Sequence, residues 1–163
     1  MRYLVLVTDY DGTIATRGHA EPAALAAIER LRESGRRAIL LSGRRLDDLL
    51  SVFPRPRLFD YIVAENGALV YETRTGEQTL LGKPPPAEFV QRLKELTNNS
   101  IEAGKVVLST WLPHHAAVLQ AIQEMGLELQ IVFNKEGGYG AARRHQQGER
   151  DGICAAQARL IAA

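Results

Sequence analysis

The stretch that most constrains how this chain can fold is YLVLVTD, residues 3–9. Its first five residues are all apolar, with no polar residue alternating between them. That is the pattern of a parallel strand buried on both faces. A parallel strand cannot return through a hairpin and needs a crossover, usually a helix. The sequence supplies one at once. In EPAALAAIERLRESG, Pro22 suits a first helical turn, Leu25, Ile28 and Leu31 form one stripe, and Gly35 suits the C-terminal cap. RRAILLSGR then reads as a second strand, LDDLLSVF as a short helix, and FDYIVAENGALVY as a third strand that breaks at Asn66-Gly67 and resumes. Strand, helix, strand, helix, strand implies right-handed βαβ units and an α/β fold with a parallel, Rossmann-like sheet.

The pattern changes after the third strand. ALVYETRTGEQTLL predicts a hairpin turning near Thr75-Gly76, and GKPPP a stiff, extended connector. AEFVQRLKEL puts Phe89, Leu93 and Leu96 on one helical face. KVVLSTWLP reads as a strand, HHAAVLQAIQEMG as a helix and LELQIVFN as a strand. Residues 83–136 are therefore expected to be a small α-β-α-β module. Residues 1–82 and 137–163 are expected to be the core into which it is inserted.

Charge and cysteine usage narrow the function classes. The net charge of +1 gives no electrostatic footprint for nucleic acid or an anionic membrane. The single cysteine, Cys154, excludes an intramolecular disulfide and a cysteine zinc site. The opening apolar run is short and quickly followed by acids, unlike a signal peptide, so a soluble, cytoplasmic setting is expected.

The chemistry gathers at Asp9-Tyr10-Asp11-Gly12-Thr13, directly after the first strand. Residues two apart on a strand point the same way, so both carboxylates are expected at its C-terminal end, the edge where open α/β sheets bind ligands. Two close carboxylates repel unless a cation neutralises them. Mg²⁺ would do so and could hold a phosphate oxygen. One carboxylate could then attack phosphorus while its neighbour moves a proton. Gly12 allows a sharp turn, and Thr13 can donate to phosphate or fix the loop. The competing reading is an acidic turn capping the next helix.

D-x-D-G-T after a first strand resembles the first motif of the haloacid dehalogenase (HAD) superfamily of phosphatases and phosphotransferases. The resemblance implies that Asp9 is the nucleophile and Asp11 the general acid/base. It implies Mg²⁺ bound by the Asp9 side chain and the Asp11 backbone carbonyl. The family's second motif, a strand ending in Ser or Thr that holds the phosphoryl group, is matched by ILLSGR, with Ser42, Gly43 and Arg44. AENGALVY is similar to the Cof-type (class IIB) branch, which implies that Asn66 and Gly67 border the site. In that branch a cap module, here 83–136, selects the substrate. A small phosphorylated metabolite, such as a sugar phosphate, is the implied substrate. A receiver-type signalling domain also uses strand-end carboxylates, but neither the Gly-Thr after Asp11 nor an inserted module fits it. A catalytically inactive fragment, or a phosphate- or nucleotide-binding module, is the alternative reading.

Two further family elements do not stand in this sequence: an N-K-A-x-G-type lysine stretch, and an acidic G-D-x-x-N-D-type loop. The tail GGYGAARRHQQGERDGICAAQARLIAA, residues 137–163, has no strand-like run. Permitted codons for Arg144–Arg159, read one nucleotide out of step, can spell GINKASGMAFALHRLG, which contains the missing lysine pattern. The chain is thus expected to be truncated in its core and out of frame beyond about Gly137. A divergent natural tail is the competing explanation, and the gene's codons decide between them.

Overall fold

The computed structural model describes residues 3–133 and the backbone of 152–157. The chain forms two compact units, Met1–Leu81 and Gly82–Ala163.

The first unit is an α/β sheet of five strands in the order β1-β4-β5-β6-β7. β1 (Val5–Asp9), β4 (Arg37–Leu41) and β5 (Tyr61–Ala64) are parallel, with Val5 opposite Arg37, Asp9 opposite Leu41 and Ile39 opposite Tyr61. A two-residue ribbon, β2 (Ala15–Thr16) with β3 (His19–Ala20), leads from β1 into α1 (Pro22–Glu33). α2 (Leu46–Val52) and a 3₁₀ turn, Pro56–Leu58, connect β4 to β5. The predicted crossovers are therefore present.

The third strand does more than break. Glu65, Asn66 and Gly67 all take positive φ (52°, 54° and 94°), which reverses the chain. β6 (Leu69–Glu72) consequently returns antiparallel to β5, and β7 (Gln78–Leu80) completes the predicted hairpin. Tyr10, Ile28, Leu40, Leu49, Phe53, Phe59, Ile62 and Leu69 form the core. Phe53 is its centre, with the Tyr10 and Phe59 rings 5.7 and 5.9 Å away at tilted angles that suit aromatic quadrupoles.

β1 departs from the expectation of burial on both faces. Val5 and Val7 are 45% and 53% exposed, and exposure alternates along the strand. Alternating exposure means that one face of the strand is covered and the other open; β1 also pairs with β4 alone among the described residues.

The second unit is a four-stranded antiparallel sheet in the order β10-β11-β9-β8. It comprises α3 (Ala87–Leu96), β8 (Ile101–Ala103), β9 (Leu108–Trp111), α4 (His115–Glu124), β10 (Gln130–Phe133) and β11 (Gly152–Gln157). Phe89 and Leu93 of α3 pack with Val118, Ala121 and Ile122 of α4 and with Leu108, as the apolar stripes predict. β8 was not foreseen; it makes a hairpin with the strand that was.

From the sequence, residues 137–163 read as part of the core, with no strand-like run. Of that segment, Gly152–Gln157 is described, and it forms β11 in the second unit's sheet. It pairs antiparallel on both sides, Cys154 with Ser109 of β9 and with Val132 of β10. β9 and β10 would otherwise each leave a row of peptide groups unpaired, which is the physical reason a strand forms there. The out-of-frame reading otherwise falls outside the described residues.

Candidate active site at the carboxyl edge of the parallel strands

The residues named from the sequence all lie at or just beyond the C-terminal ends of the parallel strands: Asp9 ends β1 with Asp11 and Thr13 after it, Ser42, Gly43 and Arg44 follow β4, and Asn66 follows β5. The alternation along β1 explains the arrangement. Tyr10 turns inward, fully buried, and its hydroxyl donates to the Gly18 carbonyl at 3.0 Å. Burial raises its pKa, an effect that Arg44 partly opposes. Asp9, on the other side of the alternation, therefore lies away from the core. Asp9 is exposed, and its carboxylate makes no hydrogen bond or ion pair among the described residues.

The D-G-T loop is a tight turn built on one acceptor. The Tyr10 carbonyl accepts from the amides of Thr13, Ile14 and Ala15 at 3.4, 3.1 and 2.9 Å. Gly12 sits at φ +74°, where a side chain would be strained. Thr13 is exposed on this turn.

Asp11 is not left to repel Asp9. Arg44 donates to both its oxygens, Nε to Oδ2 at 2.8 Å and an Nη to Oδ1 at 2.9 Å, in the fork geometry that suits guanidinium and carboxylate. The other Nη donates to Asp48 at 2.9 Å. All three side chains are at least nine-tenths buried. The guanidinium also lies 5.7 Å from the Tyr10 ring centroid. Burial alone would lower the Arg44 pKa, but the hydrogen bonds and charges of Asp11 and Asp48 outweigh it and raise it. Arg44, named from the sequence for the substrate, has its guanidinium engaged by Asp11 and Asp48 in this structure. Asp48 was missed by sequence reasoning, although its position four residues after Arg44 on a helix was a legible signal.

Ser42 is buried at the end of β4. Its amide donates to the Val63 carbonyl at 2.9 Å, and its hydroxyl accepts from the Arg44 amide at 3.1 Å, fixing the S-G-R turn. The hydroxyl's own proton has no acceptor among the described residues and remains available to a ligand. Gly43 faces Asn66 so closely that a Cβ would lie 2.7 Å from Asn66 Oδ1. Glu65, buried and also missed, donates its amide to the Arg44 carbonyl at 2.9 Å. The S-G-R and E-N-G turns are thus tied together, which puts Asn66 beside the second motif.

For a divalent cation, the first unit offers the unpartnered Asp9 carboxylate and the Asp11 carbonyl, which accepts no hydrogen bond among the described residues. Hard oxygen donors of this kind fit Mg²⁺, which is commonly held by one or two carboxylates plus water and substrate phosphate. No cluster of three acidic, histidine or cysteine side chains that could hold a metal ion occurs among the described residues.

Residues 6–110 match the haloacid dehalogenase-like hydrolases. The chain belongs to that family. Its members among solved structures share the fold at low sequence identity. A haloacid dehalogenase-like hydrolase from Bacteroides thetaiotaomicron aligns with a TM-score of 0.65 at 13% identity, over 98% of this chain and 73% of that one. A phosphatase of the superfamily from the same organism gives 0.57 at 15% identity, over 94% and 67%. The C-terminal domain of trehalose-6-phosphate phosphatase from C. albicans gives 0.58 at 12% identity, over 91% and 56%. No curated protein matches the chain by sequence. Among the described residues of this haloacid dehalogenase-like hydrolase, no helix is long and apolar enough to cross a membrane.

Proposed function

We propose that this haloacid dehalogenase-like hydrolase is a phosphomonoester hydrolase working through an aspartyl-phosphate. The observation that carries the reading is the contrast between its two carboxylates: Asp9 unpartnered and exposed, Asp11 oriented by a buried arginine. Asp9 attacks phosphorus as the bond to the leaving oxygen breaks, and Asp11 gives that oxygen a proton. Water then attacks the acyl phosphate as Asp11 takes a proton back. Thr13 and Ser42 donate to phosphoryl oxygens, and Asn66 borders the substrate. Mg²⁺, which the Asp9 carboxylate and the Asp11 carbonyl would hold, would supply charge stabilisation to the phosphoryl group. The substrate is a small phosphorylated metabolite of the sugar-phosphate class, and residues 83–136 serve as the cap that selects it. The C. albicans neighbour, a trehalose-6-phosphate phosphatase, is in keeping with that class.

Turnover by this polypeptide is slow. Residues 1–81 contain no lysine, and neither the family's lysine stretch nor its acidic loop stands in the sequence. Electrostatic stabilisation of the transition state is often the largest catalytic term. A second reading, a phosphate-binding module without turnover, is favoured by one observation: both oxygens of Asp11 are already engaged by Arg44. Hydrolysis of p-nitrophenyl phosphate with Mg²⁺ separates the two. The enzyme reading expects a rate above that of Asp9→Asn; identical background rates in both proteins would leave the binding module standing.

A further inference from the structure

At the opposite edge of the first unit's sheet, about 15 Å from Asp9 by the rise of a five-residue strand, lies a cleft of about 530 Å³. Four arginines from four segments converge on it: Arg32 from the last turn of α1, Arg37 at the start of β4, Arg57 in the 3₁₀ turn before β5, and Arg74 in the β6–β7 turn. Its wall includes Phe59, fully buried, and Tyr61, half-buried. Asp60 and Glu72 are the acids in the lining, so the cleft carries two more positive than negative charges.

Those acids are already engaged. Asp60 accepts from Arg32 at 2.8 Å and from the Ala38 amide at 2.9 Å. Glu72 takes Arg74 at 3.5 Å and the Thr75 hydroxyl at 2.8 Å. The Thr73 hydroxyl, which could serve an anion, donates to the Phe59 and Asp60 carbonyls instead. Arg37 and Arg57 therefore make no ion pair among the described residues, although both face the same recess. Like charges gathered around a concavity raise the local concentration of anions. Guanidinium forks match phosphate oxygens bidentately. The volume is that of a small-ligand site.

We propose that this cleft is a second binding site, taking a small anion that carries phosphoryl groups, separate from the carboxylate edge where Asp9 lies. Arg37 and Arg57 grip the phosphoryl oxygens, Arg32 is held in place by Asp60, and Arg74 closes one side. Because the Arg37 and Arg57 side chains are exposed and make no hydrogen bond among the described residues, their replacement removes the grip without disturbing the core.

The test is a titration of the full-length, metal-free protein with inorganic pyrophosphate at low ionic strength, followed by amide NMR shifts. The expected result is saturable shifts at Ala38, Asp60 and Thr73. Binding at those amides should be unchanged in Asp9→Asn, weakened about tenfold or more in Arg37→Ala/Arg57→Ala, and weakened by added salt. Arg57→Gln alone, which a thermal melt should show to be folded, provides the same comparison if the double variant is unstable. The proposal is overturned if pyrophosphate shifts only Asp11–Thr13 and Ser42–Arg44, or if the arginine variants bind within about twofold of the parent.

Discussion

Arg44 holds two carboxylates in the dry side of the sheet edge, and removing it strands both. Arg44→Met should cost about 3–5 kcal/mol, the scale for breaking a buried pair from one side. Urea denaturation would show this as a lower midpoint; an unchanged midpoint would mean that Asp11 and Asp48 simply turn to water. Gly43 tests the neighbouring contact. Gly43→Ala places a methyl 2.7 Å from Asn66 Oδ1, the end of a side chain that can swing aside. Stability should therefore fall by no more than about 1 kcal/mol, while p-nitrophenyl phosphate turnover falls more than stability does. Equal effects on both would place Asn66 outside the site. Asp60 sets an acid-side dependence. Burial would raise its pKa, but the Ala38 amide and the Arg32 and Arg37 charges lower it further, to below the ordinary value. The unfolded chain therefore binds this proton more readily than the folded one. Its contribution to stability is complete at neutral pH and lost as pH falls through and below the ordinary carboxylate range. In Asp60→Asn, denaturation midpoints should fall less steeply on acidification than in the parent. The D-Y-D-G-T residues were legible because their chemistry is local. The Asp11–Arg44 fork was not, because its partners are 33 residues apart and only the fold brings them together.

Among the elements, the helices were the most readable, since an apolar stripe is written into a single segment. α3 was predicted from Phe89, Leu93 and Leu96, and Phe89 and Leu93 are fully buried. Phe89→Ala should cost about 3–5 kcal/mol, seen as lost hydrogen-exchange protection in α3, α4 and β9; protection that persists would mean the site collapses around the gap. Strands were less readable, because a strand's state depends on neighbours that its own residues do not name. YLVLV reports its apolarity but not that β1 pairs with β4 alone among the described residues. Ile101–Ala103 is too short to signal a strand, and GICAAQ becomes one by pairing on both sides. The reversal at Glu65–Gly67 was visible only as a break, since three successive positive φ angles leave a sequence trace at Asn-Gly and none at Glu65.

On the scale of the whole molecule, the α/β class and the parallel crossovers were legible from apolar runs and helical stripes, and the family from motifs at strand ends. The structure adds how the edge is wired: one carboxylate engaged by arginine and one left open. That asymmetry underlies the proposal that Asp9 is the nucleophile, and the proposal can be tested without steady-state turnover. The protein would be incubated with acetyl phosphate and Mg²⁺, quenched in acid and digested, and its peptides mapped by mass spectrometry. One phosphoryl group should appear on the peptide bearing Asp9, absent in Asp9→Asn and retained in Asp11→Asn. No adduct, or an adduct on any other residue, would contradict the assignment of Asp9 as the nucleophile.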